Sequence, residues 1–212
     1  MSQNLDRVPY RVRALVAVAL FGVGYYLLSK LGISLVEEEG RVPVLWPASG
    51  LSLAIFALSP RRLWPALAAS LFTATIIANY PTHGVAPITF QLPVINTLEP
   101  ILAASLLLWI TGRERRFVYG SSRGVAGLLA AATVANAGTS LLYAWAVHAS
   151  FGAPYWSVFS GWWIGDGLGM LAVAPLIFAW GDRRRGRINI EGLALVLAAA
   201  VLSAAVLYPD VW

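Results

Sequence analysis

Two acidic residues lie inside long apolar stretches of this chain, with no basic residue nearby to offset their charge. Asp166 is embedded in GWWIGDGLGMLAVAP (161–175), and Glu99 lies in NTLEP (96–100). An acidic side chain at the centre of a membrane helix costs about 2.5–3.5 kcal/mol on insertion scales, and such residues mark function by default. We therefore expect each carboxyl to be protonated, hydrogen-bonded, or matched by a cation or polyol-like ligand that stacks on tryptophan.

The apolar stretches place both carboxyls at a similar depth. With a rise of about 1.5 Å per residue, Glu99, Asp166 and Asn136 all reach the middle of a bilayer. We predict one inward cavity at this level, with the two carboxyls in its wall beside tryptophans. The predicted ligand-binding residues are Trp46, Asn96, Glu99, Asn136, Trp163 and Asp166. The alternative is two structural carboxyls tied to helix ends and to tryptophan N–H groups.

The composition requires these residues to be positioned by membrane helices. The 212 residues are 58% hydrophobic and 12% charged, about half the charged fraction of a soluble domain. A run of about 20 apolar residues spans a bilayer as a helix. We predict an all-α, polytopic transmembrane helix bundle of about seven spans. The predicted spans are 12–36, 45–59, 63–80, 85–110, 124–148, 158–181 and 191–208.

The basic residues predict the orientation of the bundle. Lys and Arg collect in cytoplasmic loops, and the loops of this chain alternate between Arg-bearing and Arg-poor. The N-terminus is therefore predicted inside and residue 212 outside. All of the 15 basic residues except Lys30 and Arg41 then fall on the cytoplasmic side. We interpret these basic residues as setting the orientation of the helices in the membrane and contacting anionic lipid. We expect no nucleic-acid partner.

The fourth predicted span is interrupted by Pro93 and Pro100. Each proline removes a backbone donor, and Asn96 and Glu99 have capping-box spacing. These features predict a break in the helix, with a half-helix that starts inside the membrane. Glu99 could serve as its cap, as a ligand contact, or as both.

Small residues recur at helical spacing in the sixth predicted span. Gly161, Gly165 and Gly169 form a stripe of the kind that lets membrane helices approach closely. Asp166 lies about 100° round the helix from this stripe, one turn from Trp162 and Trp163. The carboxyl is therefore expected to face a protein interior walled by indole rings.

Motifs for catalysis are missing from the sequence. The chain has no Cys, no nucleophile motif and no Gly-rich phosphate loop. His83 and His148 fall in separate loops and make a weak metal signal. We expect no catalytic residues, no metal and no cofactor.

Four motifs resemble a known family. LWPASGLSLAIFAL (45–58), RLWPALAAS (62–70), NTLEPILAASLLLW (96–109) and WWIGDGLGMLAVAP (162–175) resemble the membrane-associated sensor domain of the first MASE type, in that family's order. The positions that match the family's motifs are Trp46, Pro47, Gly50, Asn96, Glu99, Trp163, Gly165, Asp166, Gly169 and Pro175.

The resemblance implies a single integral membrane sensory domain over residues 1–212, in the inner membrane of a bacterium. Such a domain precedes a histidine kinase, diguanylate cyclase or phosphodiesterase module, as in two-component or cyclic-di-GMP signalling. The family has about eight spans, so we expect either an N-terminal fragment of a longer protein, with an eighth span missing, or a natural short form. Expected partners are the lipid bilayer, an unidentified small molecule or ion, a possible membrane protein, and a second copy in the full-length protein. The alternative function is a membrane transporter, or the substrate-binding membrane subunit of one.

Overall fold

A computed structural model describes residues 9–34, 45–84, 86–112 and 121–181. Within these ranges the chain is helical. The helices are α1 (Tyr10–Ser34), α2 (Pro47–Leu58), α3 (Trp64–His83), α4 (Pro87–Ile110), α5 (Ser122–Ala130), α6 (Asn136–Phe151) and α7 (Tyr155–Gly181). A 3₁₀ turn, Arg61–Leu63, leads into α3, and a π-helical turn, Ala131–Ala135, joins α5 to α6 in one continuous rod.

Five of the helical segments are long and apolar enough to cross a membrane: α1, α3, α4, the α5–α6 rod and α7. They correspond to five of the seven predicted spans. The predicted span 191–208 lies outside the described residues, as does most of the chain that would carry the Arg-rich loops. The structure therefore shows a multi-pass helical bundle, and the predicted number of seven spans is not reached within the described part.

The second predicted span is a half-length helix. Helix α2 has 12 residues and a length of about 18 Å, too short for a hydrocarbon core of about 30 Å. Its first turn lies beside the middle of α7, where the Trp46 backbone N–H donates to the Gly165 carbonyl at 3.0 Å. Pro47 suits this start because the first turn of a helix has no partner for its N–H groups. The half-helix that begins inside the bundle is thus α2.

The predicted break in the fourth span is wrong. Helix α4 runs from Pro87 to Ile110 with Pro93 and Pro100 inside it, and Asn96 does not cap a new helix. A proline within a membrane helix removes one donor, and neighbouring helices can hold the helix together around that gap. Here Pro93 and Pro100 are both buried against the rest of the bundle.

The core of the bundle lies where α2 packs among α1, α3, α4 and α7. Leu53, Phe56, Leu71, Leu107 and Met170 are fully buried there, in contact through one continuous apolar cluster. Leu15 and Leu20 of α1, Trp109 of α4 and Val134 of the π-helical turn are exposed on the outside of the bundle, as expected for lipid-facing positions. A short helix enclosed by long ones places its own N-terminus inside the protein.

Candidate functional site

Glu99 and Asp166 face each other at the centre of the bundle. The two carboxyls interact directly, Glu99 from α4 and Asp166 from α7, and the side chains are 3% and 1% exposed. Ser49 of α2 donates its hydroxyl to Glu99 Oε2 at 3.3 Å and also interacts with Asp166. Three helices therefore meet at one polar point. Among the described residues, no Lys or Arg contributes to the surroundings of either carboxyl.

The N-terminus of α2 lies at this carboxyl pair. Ser49 is in the first turn of α2, where backbone N–H groups have no partner within the helix. The aligned peptide dipoles give a helix N-terminus roughly half a positive charge, which favours a nearby carboxylate. The negative charge of the acidic residues is thus offset in part by the backbone of α2. Looking in the sequence for a basic partner does not reveal this contribution.

Glycines allow α2 to approach α7 closely enough for this arrangement. A Cβ atom on Gly169 would overlap the carbonyl of Trp46 and lie 2.7 Å from its carbonyl carbon. A Cβ atom on Gly50 would overlap the Gly169 carbonyl and lie 2.6 Å from Val173 Cβ. The predicted close approach along the Gly161–Gly165–Gly169 stripe is therefore confirmed at Gly165 and Gly169, and its partner is the start of α2.

Two tyrosines complete the surroundings of the pair. Tyr25 of α1 is buried, faces both carboxyls, and lies against Thr75 of α3 and the Trp46 side chain. Tyr143 of α6 faces Asp166, and its ring stacks on the Trp162 indole with the centroids 3.5 Å apart. Helices α1, α2, α3, α4, α6 and α7 all contribute a side chain, so the site depends on the packing of the whole bundle.

Several buried polar atoms at the site have no hydrogen-bond partner among the described residues. They are Glu99 Oε1, Asp166 Oδ2, Asn96 Oδ1 and Trp162 Nε1. Asn96 lies one turn before Glu99 on the same buried face of α4 and is 4% exposed. Buried polar groups are nearly always paired with protein or ordered water, so this set is unusual. Three of these four atoms are acceptors, and the site therefore has unfilled capacity for a positive group.

Asn136 lies at the interface of α6 and α7 and holds the two helices together. Its amide nitrogen donates to the Trp163 carbonyl at 2.7 Å and to the Ala132 carbonyl at 3.2 Å. Its Oδ1 accepts from the Ser140 hydroxyl at 3.0 Å. With both ends of the amide occupied, Asn136 has a structural role next to the carboxyl pair and no contact with it among the described hydrogen bonds.

Trp163 points away from the carboxyl pair. Its indole N–H donates to the Thr133 carbonyl in the π-helical turn at 2.9 Å, and its ring lies parallel to Phe159. The Thr133 carbonyl also accepts from the Asn136 backbone N–H, so the indole N–H is its second donor. The indoles close to the pair are those of Trp46 and Trp162, with centroids 6.0 Å apart.

The predicted residues thus divide into two groups. The structure brings together Trp46, Glu99 and Asp166, with Asn96 one turn away, whereas Asn136 and Trp163 belong to the adjoining contact between the α5–α6 rod and α7. Sequence reasoning missed Ser49, Tyr25 and Tyr143, and it placed Trp162 near Asp166 without including it among the ligand-binding residues. Ser49 had a signal, since it follows Pro47 in WPASG and so lies in the first turn of a helix.

No metal cluster is present in the part of the chain that the structure describes, since no three His, Cys, Asp or Glu side chains come together there. The His148 ring nitrogen Nδ1 pairs with the Ala153 carbonyl at 2.7 Å in the turn between α6 and α7. The two acidic residues of the site are therefore the ionisable pair that any ligand would meet.

The long apolar helices and the polar cluster enclosed by them define a multi-pass membrane domain. A model of the MASE1 family matches residues 16–208. The chain belongs to this family of integral membrane sensory domains, which are sensory and not catalytic. A comparison with curated proteins and a comparison with solved structures each gave no match.

Proposed function

We propose that this domain detects a small molecule or ion at the Glu99–Asp166 pair and passes the signal to a cytoplasmic output module. The supporting observation is a carboxyl pair, deep in a membrane bundle, that has unfilled hydrogen-bonding capacity and no basic partner among the described residues. Carboxyls in that position are costly and are kept where they bind or transmit.

The architecture supports a role in signalling. Five helices contribute side chains to the pair, and Thr75 of α3 contacts Tyr25, so a change in occupancy of the pair alters the packing of α2 against α4 and α7. Packed cores respond to local change by shifting between discrete arrangements. We propose a histidine kinase, diguanylate cyclase or phosphodiesterase as the output module, and a homodimer as the working unit.

The proposal also includes an orientation for the domain, which rests on the positions of its arginines. The Arg62 guanidinium lies over the Tyr10 ring at 4.8 Å, so the start of α1 and the turn before α3 are on one side of the bundle. Arg11, Arg13 and Arg61 are on that side as well. By the positive-inside rule this side is cytoplasmic, in the inner membrane of a bacterium, and the α6–α7 turn faces outward.

The test uses substitutions that keep shape and remove charge. Glu99→Gln and Asp166→Asn, made in the natural protein that carries this domain, should abolish the response of the output module to its stimulus. Ser52→Ala is the control, because Ser52 is also buried in α2 but its hydroxyl donates to the Ser49 carbonyl and not to either carboxyl.

Membrane abundance and thermal unfolding are measured beside the output. Loss of response with normal abundance and unfolding supports the sensing site. A normal response in both carboxyl variants contradicts it, and so does a loss of response that merely follows unfolding. Solute flux through vesicles containing the purified domain would indicate a transporter instead.

A further inference from the structure

The charge at the buried pair is incompletely balanced. Two ionised carboxylates would carry two negative charges, and the start of α2 supplies roughly half a positive charge. The Ser49 hydroxyl stabilises a carboxylate by hydrogen bonding but carries no charge itself. About one and a half negative charges remain, so one to two further positive charges are needed, because an unpaired carboxylate is very costly away from water.

The unpartnered atoms at the pair have the chemistry of a cation site. Glu99 Oε1 and Asp166 Oδ2 are buried oxygen acceptors without a donor among the described residues, and Asn96 Oδ1, one turn before Glu99 on the same buried face of α4, is a third. Pro100 has no N–H, so the backbone carbonyl of Asn96, four residues earlier, also lacks its helical donor. Oxygen atoms alone, carboxylate and amide together, suit a proton or a hard metal cation.

We propose that the Glu99–Asp166 pair binds one small monovalent cation, H⁺ or Na⁺. This inference rests on the proposed function, since it names the ligand of the proposed sensing site. One bound cation leaves a single negative charge, which faces the N-terminus of α2 and the Ser49 hydroxyl. Ca²⁺ takes about six to eight oxygen ligands and Mg²⁺ a full octahedron, more than the unpartnered oxygens at the pair supply. An organic cation needs room that two carboxyls in mutual contact do not leave.

The remaining titratable groups at the site are tyrosines. Tyr25 from α1 faces both carboxyls and Tyr143 from α6 faces Asp166, while the facing residues of α2 and α3 are Ser49, Trp46 and Thr75, none of which titrates. Both tyrosines are neutral in the ordinary range of pH. Any cation exchange below the alkaline range therefore takes place on the two carboxyls.

The experiment is infrared difference spectroscopy on the purified 212-residue chain in nanodiscs. The C=O stretching band of protonated carboxyls is followed from about pH 4, near the ordinary carboxyl pKa, to about pH 10, near that of tyrosine. Each point is recorded in Na⁺ buffer and in choline buffer. The control is Glu114→Gln, because Glu114 lies in the Arg-bearing stretch 112–116 and outside the long apolar stretches. A titrating band that is lost in both Glu99→Gln and Asp166→Asn and retained in this control would place the cation at the pair.

The two buffers distinguish the two cations. An identical titration in Na⁺ and choline identifies H⁺, whereas loss of the band on adding Na⁺ at constant pH, with release of protons, identifies Na⁺. A chain with no titrating band and no response to Na⁺ holds a static structural pair, and this result would overturn the proposal.

A second pair of variants keeps the test valid if a carboxyl variant fails to fold. Ser49→Ala removes the donor to Glu99, so the carboxylate loses stabilisation and the cation should bind about tenfold more tightly. Ser52→Ala should leave the affinity unchanged. Equal affinities in the two variants would contradict a cation at this pair.

The binding measurement needs no output module, so the two proposals fail in different ways. Cation binding without any effect on output would refute the sensing role and leave the binding site in place. An output that responds to its stimulus through Glu99 and Asp166, in a chain that binds neither cation, would refute the ligand and leave the sensing site in place.

Discussion

Gly169→Ala should destabilise the domain by forcing α2 away from α7. The added Cβ would overlap the Trp46 backbone carbonyl, and backbone cannot move aside as a flexible side chain can. Over-packing of this kind costs about 1–3 kcal/mol. The displacement also weakens the hydrogen bond from the Trp46 N–H to the Gly165 carbonyl, for about 1 kcal/mol more.

Gly138→Ala is the matched control for this substitution. Gly138 is also in a helix interior, on an exposed face of α6, and a Cβ there meets nothing within 4 Å. Replacing a helix-interior glycine with alanine gains up to about 1 kcal/mol through the lower entropy of the unfolded chain. Both variants share this gain, so we expect Gly169→Ala to be less stable than Gly138→Ala by about 2–4 kcal/mol.

The assay is unfolding of the purified chain in detergent, followed by helical circular dichroism and by tryptophan fluorescence. Fluorescence should report the change directly, because Trp46 lies at the disrupted contact and 6.0 Å from the Trp162 ring. Equal stability of Gly169→Ala and Gly138→Ala would refute the close approach of α2 and α7. Gly50→Ala affects the same contact from the other side, so its effect should not add to that of Gly169→Ala.

Two further outcomes follow from other parts of the bundle. In a chain without native cysteine, Ser150→Cys should react with a membrane-impermeant thiol reagent from outside and Ser122→Cys should not, since these exposed residues lie at opposite ends of one span; the reverse labelling would invert the topology. Asn136→Ala should lower the free energy of unfolding by about 2–3 kcal/mol, because two carbonyls and a hydroxyl lose their partner, and Ser140→Ala by only about 1 kcal/mol, because one hydrogen bond is lost. Equal losses of unfolding free energy in the two variants would show that the hydrogen bonds from the Asn136 amide to the two carbonyls contribute little to stability.

Hydropathy was sufficient to predict the long helices, because each of them crosses the membrane as a long apolar stretch. A soluble fold does not require such stretches. Hydropathy was not sufficient for α2, whose sequence is as apolar as the others. Pro47 gave a sign that a helix starts there, but the enclosing helices, and not the sequence of α2, decide that this start lies inside the bundle. The prolines of α4 led to the opposite error. Pro93 and Pro100 each lack a backbone donor, which suggested a break, but the helix continues past both.

The candidate site was predictable in its charged members and not in their neighbours. The cost of a carboxyl in hydrocarbon places Glu99 and Asp166 inside the protein, and similar depth then brings them together. The choice between Trp162 and Trp163 depends on helix rotation, because successive residues point about 100° apart. A stretch with apolar residues on every side does not reveal which of the two faces inward, and Trp162 is the one beside the pair.

The glycine stripe of α7 allows the start of α2 to stabilise the buried carboxyl pair. No basic side chain approaches the pair within the described residues, so stabilisation falls to the start of α2 and to Ser49. A helix terminus acts only over about its first turn. The start of α2 must therefore come close to Asp166, which needs a face of α7 without side chains, and Gly165 and Gly169 provide it. A substitution at Gly169 should consequently weaken the fold and, by withdrawing the α2 terminus, also tighten cation binding at the pair.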